Sequence, residues 1–302
     1  MKQALLHIFI GFTCFTGFAQ SGINSFLKPS DTLNKPRRNA LVISEIALGT
    51  VSLLALDQLW YADYPRSNIH TLDDNNEWLQ IDKMGHAYSS YQLGRVGANV
   101  LKWSGVSRKN QLLYGGTLGF TFLTAVEVLD GFSEEWGFSW GDMAANASGT
   151  ALFVGQELLW NEQRITLKYS FHRTKYAEQR PDKLGNGLAE EFLKDYNGQT
   201  YWLSFNLYSF FSNSKIPTWI NVAIGYGADG MLAGTRKTSD NLFSNHNRMR
   251  QYYLSLDVDL TRIKTNSHFL RTLFEIFNTI KVPLPTLEFT EDNGVRLHGI
   301  YF

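Results

Sequence analysis

The chain has 302 residues, with 28 lysines and arginines against 28 aspartates and glutamates, so its formal net charge is zero. A neutral chain lacks the basic field that neutralises phosphates, which excludes nucleic acid as the expected partner. Aromatic residues make up 14% of the sequence, and tryptophan and tyrosine at that density favour surfaces where an apolar body meets a wet edge, membrane interfaces among them.

Residues 1–19 begin with Lys2, continue as an apolar run from Ala4 to Thr16, and end on Gly17-Phe18-Ala19. A positive start, a short apolar stretch and small residues at the −3 and −1 positions predict a secretory signal peptide. The expected location is therefore the periplasm, in association with the outer membrane. The sole cysteine, Cys14, lies inside this segment and follows Gly11-Phe12-Thr13, which fits a lipid-attachment signal poorly. Simple cleavage is favoured, and it leaves a mature chain without disulfides, thiol nucleophile or thiolate metal site. Residues 20–39 are polar, contain Pro29 and Pro36, and read as an extended arm.

Residues 40–161 read as a domain of four helices. The first, from Ala40 to Tyr61, is nearly all apolar and must be buried or membrane-associated. The second is expected over about 82–103, the third over about 109–129 and the fourth over about 140–160. Short connections and small residues such as Gly119, Ala145 and Gly149 suit a tightly packed four-helix bundle.

Residues 162–302 change period. Runs 165–172, 200–211 and 252–263 alternate as strands do; Leu254, Leu256 and Val258 face one way, Ser255, Asp257 and Asp259 the other. A short helix is expected over about 188–196. The run 216–226 fits either a helix opened by Pro217 or a buried strand. Residues 267–280 have apolar positions at helical spacing, with basic Arg271 and Lys281 beside them, and predict an amphipathic helix. Asp292-Asn293-Gly294 marks a terminal hairpin turn. The aromatic last strand resembles those of outer-membrane barrels, but five or six strands fall short of the roughly eight a closed barrel needs. The fold class expected is α+β, with an N-terminal helical bundle and a C-terminal antiparallel β region that includes amphipathic helices.

The polar residues of the helices form a pattern. Asp82 and His86 are four apart, Glu127 and Asp130 three apart, and Asp142 and Asn146 four apart, so each pair shares a helix face. In an antiparallel bundle the start of the second helix, the end of the third and the start of the fourth meet at one end. His86, Glu127 and Asp142 would converge there, with Asp82, Lys83, Asp130 and Asn146 around them. A histidine among carboxylates can bind a divalent cation or act as an acid/base pair; the residues fix neither a metal nor a cofactor. Structural roles compete: Asp82 as a helix cap, Ser139 and Asp142 as a capping box, Glu127 paired with Lys83 or Arg95. Ser89 and Ser90 lie mid-helix, where serine nucleophiles are not found.

The blocks D-K-x-x-H-x-Y (Asp82, Lys83, His86, Tyr88), E-x-x-D-G (Glu127, Asp130, Gly131) and W-G-F-S-x-x-D-x-x-x-N-x-x-G (Trp136 to Gly149) occur in this order. Together they resemble the YfiM-type family of predicted periplasmic lipoproteins, a domain of unknown function, over roughly residues 40–160. A more distant similarity is to VanZ-like membrane proteins. The resemblance implies a bacterial envelope setting and no settled activity. The expectation is a structural or accessory envelope component bound to the outer membrane from the periplasmic side, with membrane lipid and other envelope proteins as partners. The alternative is a membrane-proximal hydrolase or transferase acting on lipid or cell-wall precursors; whether the protein is an enzyme stays open.

Overall fold

The computed structural model describes residues 22–61, 64–212, 215–235, 247–292 and 294–301. The signal peptide expected over 1–19, Cys14 and the turn residue Asn293 lie outside the described residues.

The expected extended arm is in fact helical at 22–27, and the first long helix, α1 (Lys35–Leu56), starts earlier than the apolar run suggests. Asn34 caps it by accepting from the Arg37 N–H at 3.0 Å, and proline occupies the first turn, where a missing N–H costs nothing. α1 has no buried residue: Val42, Ile43, Ile46, Leu48, Val51 and Leu54 are all exposed. The expected four-helix bundle is therefore corrected to three helices with α1 alongside. The three are α2 (Ile81–Trp103), α3 (Leu118–Gly131) and α4 (Trp140–Trp160). α3 is shorter than its apolar pattern because a helical turn at Arg108–Asn110 and a widened turn at Gln111–Gly115 precede it.

Glycine explains why these three meet so closely. A Cβ on Gly149 of α4 would collide with the Ala87 carbonyl of α2, and one on Gly119 of α3 with the Ser90 backbone. Small residues let the backbones touch, as they do between membrane helices.

Six strands form one antiparallel sheet in sequence order: β1 (Ile165–Phe171), β2 (Gln199–Asn206), β3 (Ile220–Asp229), β4 (Met249–Val258), β5 (Leu284–Thr290) and β6 (Gly294–Tyr301). The ambiguous run 216–226 thus enters a strand, in register Val222 to Leu256 and Ile224 to Leu254. A short helix, α5 (Leu188–Lys194), precedes β2, and the amphipathic helix α6 (His268–Phe277) lies between β4 and β5. Beyond α6, the Tyr169 N–H donates to Thr279 O at 3.0 Å and the Lys281 N–H to Tyr169 O at 2.9 Å, covering the free edge of β1. The sheet curls until Tyr301 on β6 reaches Tyr253 at 2.7 Å and the Thr200 hydroxyl on β2 at 3.1 Å.

The two faces are inverted relative to a water-soluble sheet. The inside of the curl is polar. Lys168 and Asp257 side chains have 0% exposure and pair at 2.8 Å; Asp257 also accepts from Ser204 at 2.7 Å and from the Val282 N–H at 3.1 Å. Asn221 donates to Ser204, and Asn206 to Asn221, each at 2.8 Å. Lys281, expected on the polar side of α6, is instead buried here, 4.8 Å over the Trp202 ring. The outside is hydrocarbon. α2 covers it over β1 and β2 with Ile81 and Tyr88 against Tyr169 and Tyr201. On the rest of that face Leu203, Ile224, Leu254, Leu256, Leu297 and Ile300 are exposed.

Breaking a buried ion pair leaves its partner charge uncompensated, at about 3–5 kcal/mol. Asp257→Ala is expected to lower unfolding stability by that amount, whereas Lys168→Met combined with Asp257→Leu should recover most of it; denaturant unfolding in detergent measures both.

Candidate functional site

The helix ends meet as the spacing predicts. The approach to α2 is a strained turn: Trp78, Leu79 and Gln80 have φ of 46°, 50° and 64°, a left-handed run without glycine. Each such residue costs roughly 1–3 kcal/mol unless its surroundings hold it. The Trp78 N–H donates to Gly234 O at 2.8 Å, and the Tyr226 hydroxyl donates to Leu79 O. The turn is thereby tied to β3 and to the segment after it, and sets where Asp82, Lys83 and His86 point.

Lys83 is the centre of charge. Its ammonium lies 2.7 Å from Asp74 Oδ2, 2.9 and 3.0 Å from the two oxygens of Asp142, and 3.4 Å from Asp82 Oδ2. Burial would lower its pKa, but Asp82, Asp142 and Asp74 outweigh that and raise it. Burial likewise favours neutral Asp74, yet hydrogen bonds from Lys83 and Ser139 hold its pKa below the usual value. Ser139 caps α4 as expected, accepting from the Asp142 N–H at 3.1 Å, and donates to Asp74 at 2.6 Å. The second half of a capping box is absent because the Asp142 carboxylate turns to Lys83.

His86 Nδ1 is 3.0 Å from Asn146 Oδ1 and 3.7 Å from Glu127 Oε1. Its Nε2 is 3.9 Å from both Asp82 Oδ1 and Asp142 Oδ1. Burial disfavours the imidazolium, but the charges of Asp82, Asp142 and Glu127 prevail and raise the His86 pKa. Asp142 is pushed up to about 7, chiefly by burial and then by the Asp82 charge. Glu127, 1% exposed, accepts from the Ser139 N–H at 3.1 Å and pairs with neither Lys83 nor Arg95, which reaches Glu275 O on α6. Glu127 Oε1 has no hydrogen-bond partner among the described residues.

The other sequence candidates divide. Asp82 does not cap α2; it accepts from the Tyr196 hydroxyl at 2.9 Å. Asp130 takes the Tyr61 hydroxyl at 2.6 Å. Ser90 donates to Asn146 O at 2.7 Å and faces Thr150, away from His86 chemistry. Sequence reasoning missed Asp74, Tyr196 and Tyr61, which lie outside the three periodic helices and carry no spacing signal.

The cluster forms the floor of a cavity of about 800 Å³. Its walls include Leu56, Phe122, Val126, Phe192, Leu193 and Trp136, so an acidic floor meets apolar sides. Such an arrangement can exchange a proton between imidazole and carboxylate or hold a cation.

Fold and site define a class: three close-packed helices with a His/carboxylate site, seated on a sheet that is polar inside and apolar outside. Residues 72–156, which contain every residue of the polar cluster named from the sequence, match the family described as "Predicted periplasmic lipoprotein (DUF2279)". The three motif blocks pointed to this family, and its function is unknown. No curated protein and no solved structure matches the chain.

Lys83→Met would leave Asp74 and Asp142 without their cation and is expected to cost about 3–5 kcal/mol. Adding Asp142→Asn to it should restore part of the loss, since the two act as one network. Thermal unfolding of the two single variants and the double variant measures the coupling.

Proposed function

We propose that this chain is an outer-membrane-embedded envelope protein, with lipid against the outside of its sheet and along α1, and with other envelope proteins as partners. The observation that carries the reading is the inverted sheet. A polar interior with an aliphatic exterior is the arrangement of barrels that meet hydrocarbon, and a soluble sheet has the reverse. β3 and β4, ten residues each, match the nine to eleven of a tilted membrane strand.

α1 supports the same slab. It runs from Arg37, stacked 4.4 Å over Trp103, to the turn at Tyr61 bonded to Asp130, with its aliphatics exposed. Its 22 residues rise about 33 Å, close to the thickness of a hydrocarbon core. The periplasmic description of the matched family agrees with export.

Carbonate washing of envelope fractions should leave the protein in the outer-membrane pellet; complete release would sink the reading. Leu254→Arg on the outer face is expected to cost about 2–4 kcal/mol in lipid and to deplete the membrane fraction. Leu188→Arg on α5, exposed at the site end, should stay within about 0.5 kcal/mol.

The cavity supports a second reading, a hydrolase or transferase for lipid or cell-wall precursors, because apolar walls lead to His86 and two buried carboxylates. His86→Ala, Glu127→Ala and Asp142→Ala should then each abolish complementation of a deletion strain at normal protein abundance. Loss of abundance instead would mark the cluster as structural.

A further inference from the structure

We propose that Asp82, His86 and Asp142 bind one divalent transition-metal ion, Zn²⁺ or Mn²⁺, at the floor of the cavity. One ligand atom from each of the three lies within 4.8 Å of the others. His86 Nε2 stands 3.9 Å from a carboxylate oxygen on either side. Ligands about 2.1 Å from a tetrahedral metal stand roughly 3.4 Å apart, so each of these pairs has to close by about half an ångström. The carboxylate pair closes by a swing of one side chain.

The histidine is presented in the manner of a metal ligand. Nδ1 faces the Asn146 carbonyl oxygen at 3.0 Å, so the ring donates there, and a metal that displaces the Nε2 proton would meet a lone pair directed toward Asp82 and Asp142. A second partner on the other ring nitrogen, fixing tautomer and tilt, is the usual outer support of a ligating imidazole. Asp82 is held in turn by the Tyr196 hydroxyl at 2.9 Å.

An independent observation points to a missing cation. Glu127 is 1% exposed, lines the same cavity, and its Oε1 has no hydrogen-bond partner although it stands 3.7 Å from the His86 ring. Buried carboxylate oxygens are nearly always partnered, so an unmet one in this cavity is a group that a bound ion or its water shell would engage. Charge leads the same way. Asp74, Asp82 and Asp142 surround one permanent cation among the described residues, Lys83, whose closest partner is Asp74 at 2.7 Å. A divalent ion would offset much of the remaining negative charge, sharing Asp142 Oδ1 with Lys83 and Asp82 Oδ1 with the Tyr196 hydroxyl. Oxygen and imidazole donors without sulfur suit Zn²⁺ and Mn²⁺.

Titration calorimetry of the purified, chelator-stripped full chain in detergent, with ZnCl₂ and MnCl₂ as probes, tests the site. One saturable equivalent of at least one of the two ions is expected. His86→Gln and Asp82→Asn should each weaken binding tenfold or more, while Asp73→Asn, an exposed loop acid, should leave it unchanged. The same ion should raise the melting temperature of the unmodified protein, a readout that needs no variant to fold. The assignment is overturned if neither ion binds saturably, or if the folded His86→Gln and Asp82→Asn variants bind as tightly as the unmodified chain.

Discussion

Lys168 and Asp257 face each other without solvent inside a curled sheet whose other side is leucine, isoleucine and valine. The rest of the molecule follows from that inversion. Charges removed from water are tolerable only when paired and hydrogen-bonded, and here Ser204, Asn221 and the Val282 N–H complete the set. A sheet stabilised from within in this way no longer needs a second sheet or a full helical layer on its outer face. α2 covers that face over two strands only, and the hydrocarbon beyond it remains uncovered. A contiguous apolar face of this extent on a soluble monomer would mark an interaction surface; lipid is the partner we propose, since it would also cover the exposed length of α1.

The polar site depends on the same frame. α2 is clamped to the sheet by Tyr88 and Tyr201 and by Gln92 donating to Leu167 O, and its entry is fixed by the left-handed turn at Trp78–Gln80. α4 joins α2 through Lys83 and Asp142 and through the glycine contact at Gly149. The convergence of His86, Glu127 and Asp142 is thus set by how the helices sit on the sheet and on one another.

Much of this was legible in the sequence, for definite reasons. The i,i+4 pairs on α2 and α4 and the alternation of short connections were enough to bring His86, Glu127 and Asp142 together, because helix geometry fixes faces. Alternation in β4 separated Leu254 and Leu256 from Ser255 and Asp257, yet period two identifies two faces and not which of them is wet. Lys281 lies off the helix because the apolar spacing runs past Phe277, where Asn278 ends α6 and the chain turns to pair with β1. α1 begins ahead of the apolar run because Asn34 and a first-turn proline make a helix start, a signal that a proline within a polar segment conceals. α1 adds no buried residue to the bundle, because apolarity in a sequence does not say what covers a helix.

The most direct test reads the environment of β4 residue by residue. Single cysteines at positions 252 to 257, spin-labelled in the purified protein reconstituted in lipid, report access to oxygen from the bilayer and to a water-soluble nickel chelate. The account predicts alternation: oxygen-accessible, nickel-protected labels at Leu254 and Leu256, and the reverse or full protection at Ser255 and Asp257. Nickel access at Leu254 and Leu256 equal to that of an exposed loop label would contradict it.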